Sequence, residues 1–161
     1  PGGAYDQREI ESRADVAVYS TPPLDSDLEV TGPVSLTLYA ISSAPDTDFT
    51  AKLVDVYPDG YAVNLCDGIV RGKYRESTSA QKLLEPGAVY EFTIDLWPTS
   101  MVFKEGHRIR LEVSSSSYPR FDRNPNTGRD IATETAPIAA TQTVSHGTDY
   151  LSRLVLPVIP R

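Results

Sequence analysis

The chain has 161 residues, 40% of them hydrophobic, and a formal net charge of −7. That is enough apolar material for one domain whose folding buries roughly 70% of the unfolded chain's surface, and it is too acidic for the basic face of a nucleic-acid binder. No apolar run approaches the ~18 residues of a membrane helix, no low-complexity tract or signal peptide is visible, and a single cysteine, Cys66, excludes an internal disulfide framework and points to a reducing, cytoplasmic setting.

The opening Pro1-Gly2-Gly3-Ala4 carries no initiator methionine, and the only methionine is Met101. Residues 1–14 read as a linker from an upstream catalytic domain plus the entry to this one, with a tag scar as the plain alternative. Residues 15–161 read as a single β domain. Residues 15–20 alternate weakly through Val16 and Val18 and stop at Pro22-Pro23. Residues 28–31 and 34–41 are strand-like, with Val34, Leu36, Leu38 and Ala40 on one face. Gly32-Pro33 between them predicts a bulge or kink rather than a hairpin.

Residues 49–56 form the next strand, Pro58-Asp59-Gly60 turns the chain, and residues 61–70 run back. Asp67-Gly68 is a candidate bulge in that return strand. Residues 77–85 are the best helical stretch, one or two turns ended by Pro86-Gly87. Tyr90, Phe92, Ile94 and Leu96 then alternate with Glu91, Thr93 and Asp95, and Trp97-Pro98 closes that strand. After the Lys104-Glu105-Gly106 turn, Ile109, Leu111 and Val113 face inward while Arg108, Arg110 and Glu112 form a charged outer face. Residues 127–140 make a long polar connection. Residues 141–145 and 151–158 supply the last strands, with Leu154, Leu156 and Val158 on one face and Pro157 marking an edge. Eight or nine short antiparallel strands, hardly any helix and two long connections predict an all-β fold, a jelly-roll sandwich.

Catalytic motifs are missing. There is no Gly-x-Ser-x-Gly elbow, and Ser114 to Ser117 with His107 or His146 specify no triad geometry. Both histidines sit beside glycines and read as solvated or capping groups. Asp46-Thr47-Asp48 and the Asp122, Asn124, Asn126 series carry oxygens that calcium could use, but the interposed arginines and Pro125 argue against it, so no metal or cofactor is expected. Cys66 reads as a small buried hydrophobe. Trp97 with Tyr57, Tyr61 and Tyr74 could form a platform for sugars, against a plainer reading as packing groups.

The most distinctive stretch is the proline-stiffened loop that contains Tyr118, Arg120, Phe121, Asp122, Arg123 and Asn124. Two readings stand. The loop is self-contained, with Asp122 pairing an arginine while Asn124 and Asn126 tie down turns. Alternatively it docks on another protein surface, for which arginine and aromatics are well suited.

These residues resemble a known family. The run from Gly106 through Val113 to Ser116, continuing as Tyr118-Pro119-Arg120-Phe121-Asp122-Arg123-Asn124-Pro125-Asn126, is similar to the C-terminal domain of the X-Pro dipeptidyl-peptidase and CocE/NonD hydrolase family. So are Tyr5-Asp6-Gln7-Arg8, Leu28-Glu29-Val30-Thr31-Gly32-Pro33, Asp46-Thr47-Asp48-Phe49-Thr50, the stretch from Lys52 to Gly60, and the closing Ser152-Arg153-Leu154-Val155-Leu156-Pro157-Val158. The resemblance implies a jelly roll like galactose-binding domains, following an α/β-hydrolase domain that holds the Ser-Asp-His triad. No triad member maps onto this chain. The expectation is a non-catalytic domain that packs on a serine hydrolase's catalytic domain and supports its active-site entrance or oligomer, with that domain, and in second place another copy of the chain, as partner. The alternative is a free-standing carbohydrate- or ligand-binding module. Neither nucleic acid nor membrane is expected as a partner.

Overall fold

The computed structural model describes residues 3–160; Pro1-Gly2, where a connection is expected, lies outside the described residues. The elements run α1 (Arg8–Glu11), β1 (Ala17–Ser20), β2 (Leu28–Ser42), β3 (Asp48–Val56), β4 (Ala62–Arg71), β5 (Val89–Phe103), β6 (Arg108–Ser114), β7 (Gln142–Ser145), β8 (Arg153–Val155) and β9 (Val158–Ile159). They form two antiparallel sheets: one ordered β1-β6-β3-β4, the other β5-β2 with β7, β8 and β9 sharing the far side of β2. The expected all-β sandwich is what the chain forms.

The alternation read in the sequence decides which side chains meet between the sheets. Val34, Leu36, Leu38 and Ala40 of β2 and Phe92, Ile94 and Leu96 of β5 are all buried, as are Phe49, Ala51 and Leu53 of β3. The Phe49 and Phe92 rings meet across the core with centroids 4.7 Å apart, a contact that adds roughly 0.5–1.5 kcal/mol to their burial. At one edge the sheets nearly touch. A Cβ at Gly68 of β4 would lie 2.0 Å from the carbonyl oxygen of Asp95 of β5, so only glycine fits there.

Several expectations need correction. Residues 28–31 and 34–42 are one strand, because β2 passes through its irregularity between Pro33 and Ser35 without leaving the sheet. Its partner β5 likewise does not end at Trp97-Pro98 but continues to Phe103. Trp97 absorbs the extra residue of the bulge with φ 70, and its N–H donates to Asp95 Oδ1 at 2.8 Å. The bulge in β4 is not at Asp67-Gly68; the register slips between Leu53↔Cys66 and Val54↔Asn64, which leaves Leu65 as the extra residue. Residues 77–85 form no helix. The Lys82 and Leu84 N–H groups donate instead to Lys73 O and Pro45 O, each at 2.8 Å, and Leu84 is buried in the core. The final run is two short strands; Leu154 in the first and Leu156 between the two pack on the core, while Val158 in the second is exposed.

Candidate functional site: a braced loop at one end of the sandwich

β6 ends at Ser114, and the chain crosses in a loop to residues 124–126. The loop is anchored through an unusual set of buried polar groups. Asp46, Thr47 and Asp48, at the start of β3, are essentially without solvent contact. Such burial is tolerable only with partners, and the structure supplies them. The Arg71 guanidinium donates to Asp48 through Nε at 2.9 Å and Nη2 at 3.0 Å. The Lys73 amide donates to Asp46 Oδ1 at 2.9 Å, and its ammonium lies 3.8 Å from Asp46 Oδ2. Asn124 completes the set: its Nδ2 donates to Asp46 Oδ2 at 3.0 Å and to Asp48 Oδ1 at 2.8 Å.

Asn124 also closes its own turn, since its Oδ1 accepts the Asn126 N–H at 2.9 Å. Asn126 Nδ2 in turn donates to Ile138 O at 2.9 Å, tying the long 127–140 connection to the same point. The self-contained reading is therefore right about the two asparagines. It is wrong about Asp122, which is exposed and makes no ion pair with an arginine among the described residues. Arg120 pairs instead with Asp67 of β4. Because Ala51 and Leu53 point into the core, Lys52 and its cross-strand neighbour Asp67 point out of the sheet, so Arg120 clamps the loop onto the outer face.

What this brace presents is a compact exposed group. The Arg123 guanidinium lies over the Tyr118 ring at 4.5 Å and Arg120 over Phe121 at 5.4 Å. Tyr118 keeps 59% of its surface in solvent. Beside them opens a cleft of about 830 Å³, walled by the loop, by residues 13–17 of the N-terminal segment, and by Lys52, Phe49, Gln142 and Val144.

Other candidates come apart. The Asp46 and Asp48 oxygens are occupied by Arg71, Lys73 and Asn124 while Asp122 is exposed, and among the described residues no three acidic, histidine or cysteine side chains gather around a cation site. His107 is neither solvated nor a cap: its Nδ1 sits 2.9 Å and 3.1 Å from the two Asp55 oxygens, and its ring packs on Tyr57. That is a base with its orienting carboxylate, yet no serine, threonine or cysteine hydrogen-bonds the ring among the described residues, so the nucleophile of a triad is not there. His146 is exposed, edge-on to Tyr19. Burial pushes the Cys66 thiol up to about 11, which keeps it protonated and unreactive at neutral pH. Tyr57 and Tyr61 pair at the β3–β4 turn while Tyr74 follows the other end of β4, and Trp97 touches none of these rings among the described residues.

The charged outer face of β6 also differs from the expectation. Glu112 is buried, covered by the N-terminal segment. Gln7 donates its N–H to Ala62 O at 2.8 Å and accepts from Lys52 Nζ at 2.8 Å, and Glu11 pairs with Arg110 at 2.6 Å. No spacing in the sequence signals that residues 5–11 return to this sheet; the one hint is that Gln7, Glu11, Lys52 and Glu112 offer complementary groups.

A family model described as the X-Pro dipeptidyl-peptidase C-terminal non-catalytic domain matches residues 3–155. The cocaine esterase of Rhodococcus sp. (strain MB1 Bresler) is 52% identical over an alignment 161 residues long that covers 99% of this chain and 28% of that protein. Among solved structures, an aminopeptidase from a marine sediment Thaumarchaeota archaeon superposes with a TM-score of 0.93 at 37% identity, over 96% of this chain and 27% of its own. An α-amino acid ester hydrolase superposes equally well, TM-score 0.93 at 34% identity, over 97% of this chain and 27% of its own. The chain thus spans just over a quarter of the length of these relatives. Because the family match runs from ahead of β1 to the end of β8, the chain belongs to the family of X-Pro dipeptidyl-peptidase C-terminal non-catalytic domains.

Proposed function

We propose that the chain serves a serine hydrolase of the dipeptidyl-peptidase or acyl and ester hydrolase type as its accessory β domain, packing on the α/β-hydrolase domain through the loop that carries Tyr118, Arg120, Phe121, Asp122, Arg123 and Asn124. The observation that carries this reading is the brace on that loop. Asn124, fixed by two buried aspartates, holds an arginine–aromatic group in one conformation while leaving it open to solvent. Ordering is thereby prepaid, which favours docking, and arginine with tyrosine is the composition that dominates binding energy where proteins meet. The role is to supply a rigid surface, with the chemistry residing in the partner domain.

The test is a domain exchange. Replacing the matching 28% of the Rhodococcus cocaine esterase with this chain, 52% identical to it, gives a folded hybrid that retains esterase activity. Introducing Tyr118→Ala together with Arg123→Ala then lowers the hybrid's melting temperature by several degrees, while the isolated chain's own melting changes little. A hybrid indifferent to both substitutions would place the docking surface elsewhere.

A further inference from the structure

The N-terminal helix α1 has no buried residue of its own, and four residues are far too few to be stable as an isolated helix. Its ion pair with the sheet is made by Glu11, while Arg8 lies over the Tyr61 ring at 5.6 Å. One oxygen of Glu11 accepts from Arg110 Nη1 at 2.6 Å. The other, Oε1, is buried with no partner, and so is Glu112 Oε1 on β6. The side chains of Glu11 and Glu112 retain only 9% and 3% of their exposure, and because Arg110, which holds Glu11, and Glu112 stand two residues apart on the same face of β6, the Glu11 carboxyl is brought beside that of Glu112. Two carboxylates cannot hydrogen-bond, but a carboxylic acid and a carboxylate can, and one shared proton satisfies both orphaned oxygens.

We propose that Glu11 and Glu112 form a proton-binding clasp, in which a single proton held between the two carboxyl groups fastens helix α1 to the outer face of the β1-β6-β3-β4 sheet, and loss of that proton lets the helix lift.

The surroundings are consistent with this assignment. From β3, Lys52 approaches Glu112 at 3.5 Å but spends its shorter bond, 2.8 Å, on Gln7. From β6 itself, Arg110 answers Glu11. The adjacent strand β1, Ala-Val-Tyr-Ser, brings no charge, and Val18 is the residue opposite Glu112. Burial, opposed by Lys52 and reinforced by Glu11, raises Glu112 to about 7, so the proton leaves around neutrality. The anchor at residues 5–7 is of another kind. It rests on the Asp6↔Val63 bridge and the Gln7 N–H bond to Ala62 O, neither of which needs a proton on Glu112. The opening is therefore confined to residues 8–12. Ile10, within that segment, lines the cleft beside the loop, so the clasp bears on the shape of that cleft, although it stands independently of what docks there.

Amide hydrogen exchange on the purified chain, expressed as protection relative to the intrinsic rate at each pH, tests the clasp at the Glu11 and Ser12 N–H groups, which donate to Gln7 O and Arg8 O. Between pH 6 and pH 8.5 these two amides lose at least tenfold in protection, while the Gln7 amide keeps its own. In Glu112→Gln, whose amide donates to Glu11 at every pH, the protection stays constant. Equal protection across this range in the unaltered chain, or an unchanged pH dependence in Glu112→Gln, overturns the proposal. Should that variant not fold, side-chain carboxyl NMR of the unaltered chain decides instead: one of the two glutamates titrates near neutrality, and two ordinary midpoints would refute the clasp.

Discussion

At the scale of single residues, burial turns two unremarkable letters into constraints. Glu112 is one. Its carboxyl binds a proton more tightly folded than unfolded, since burial raises it from 4.5 to about 7. The folded state thus binds more protons between those values, and stability must fall as pH rises through that window and level off above it. The full cost is up to about 3 kcal/mol, limited by release of α1. Glu112→Gln removes the dependence and should raise the urea midpoint at pH 8 while changing it little at pH 5. Gly68 is another. Gly68→Ala forces β4 and β5 apart at Asp95 and should cost more than about 3 kcal/mol in urea unfolding. Neither demand was legible beforehand, because each depends on what another element brings alongside: alternation placed Glu112 on the outer face, but only the return of residues 7–11 covers it.

At the scale of elements, periodicity was a good guide to strands and a poor one to what lies between them. The period-2 runs in β2, β5 and β6 emerged with the expected faces inward, since one buried face fixes register strongly. Residues 77–85, with their favourable helix formers, did not become a helix. A nine-residue helix is marginal at best, and burying Leu84 while bonding Lys82 and Leu84 to Lys73 and Pro45 outweighs it. Leu84→Ala should therefore cost about 2–5 kcal/mol and free residues 75–88 to exchange, as hydrogen exchange would show. The loop over residues 115–126 is governed by the same logic. Asn124→Ala strands two buried aspartates without their shared donor, an expected loss of about 1–3 kcal/mol. Its signature would be heightened exchange in residues 115–126 with the sandwich core unaffected. The sequence announced the loop's composition, two prolines around arginines and aromatics, but not that Arg120 crosses to Asp67 or that Asp122 stays in solvent.

At the scale of the whole molecule, the sandwich contains His107 with its Asp55 partner, serines in number and a spacious cleft, yet among the described residues no hydroxyl or thiol hydrogen-bonds that ring. What it builds with care is a surface: a braced loop and a short N-terminal element folded back on the sheet. Membership in a family of non-catalytic domains agrees with that economy. The purified chain, assayed with X-Pro-p-nitroanilide and with short-chain p-nitrophenyl esters, provides the most direct test. Rates indistinguishable from the buffer blank are the predicted result; saturable turnover that survives rigorous repurification would contradict the account.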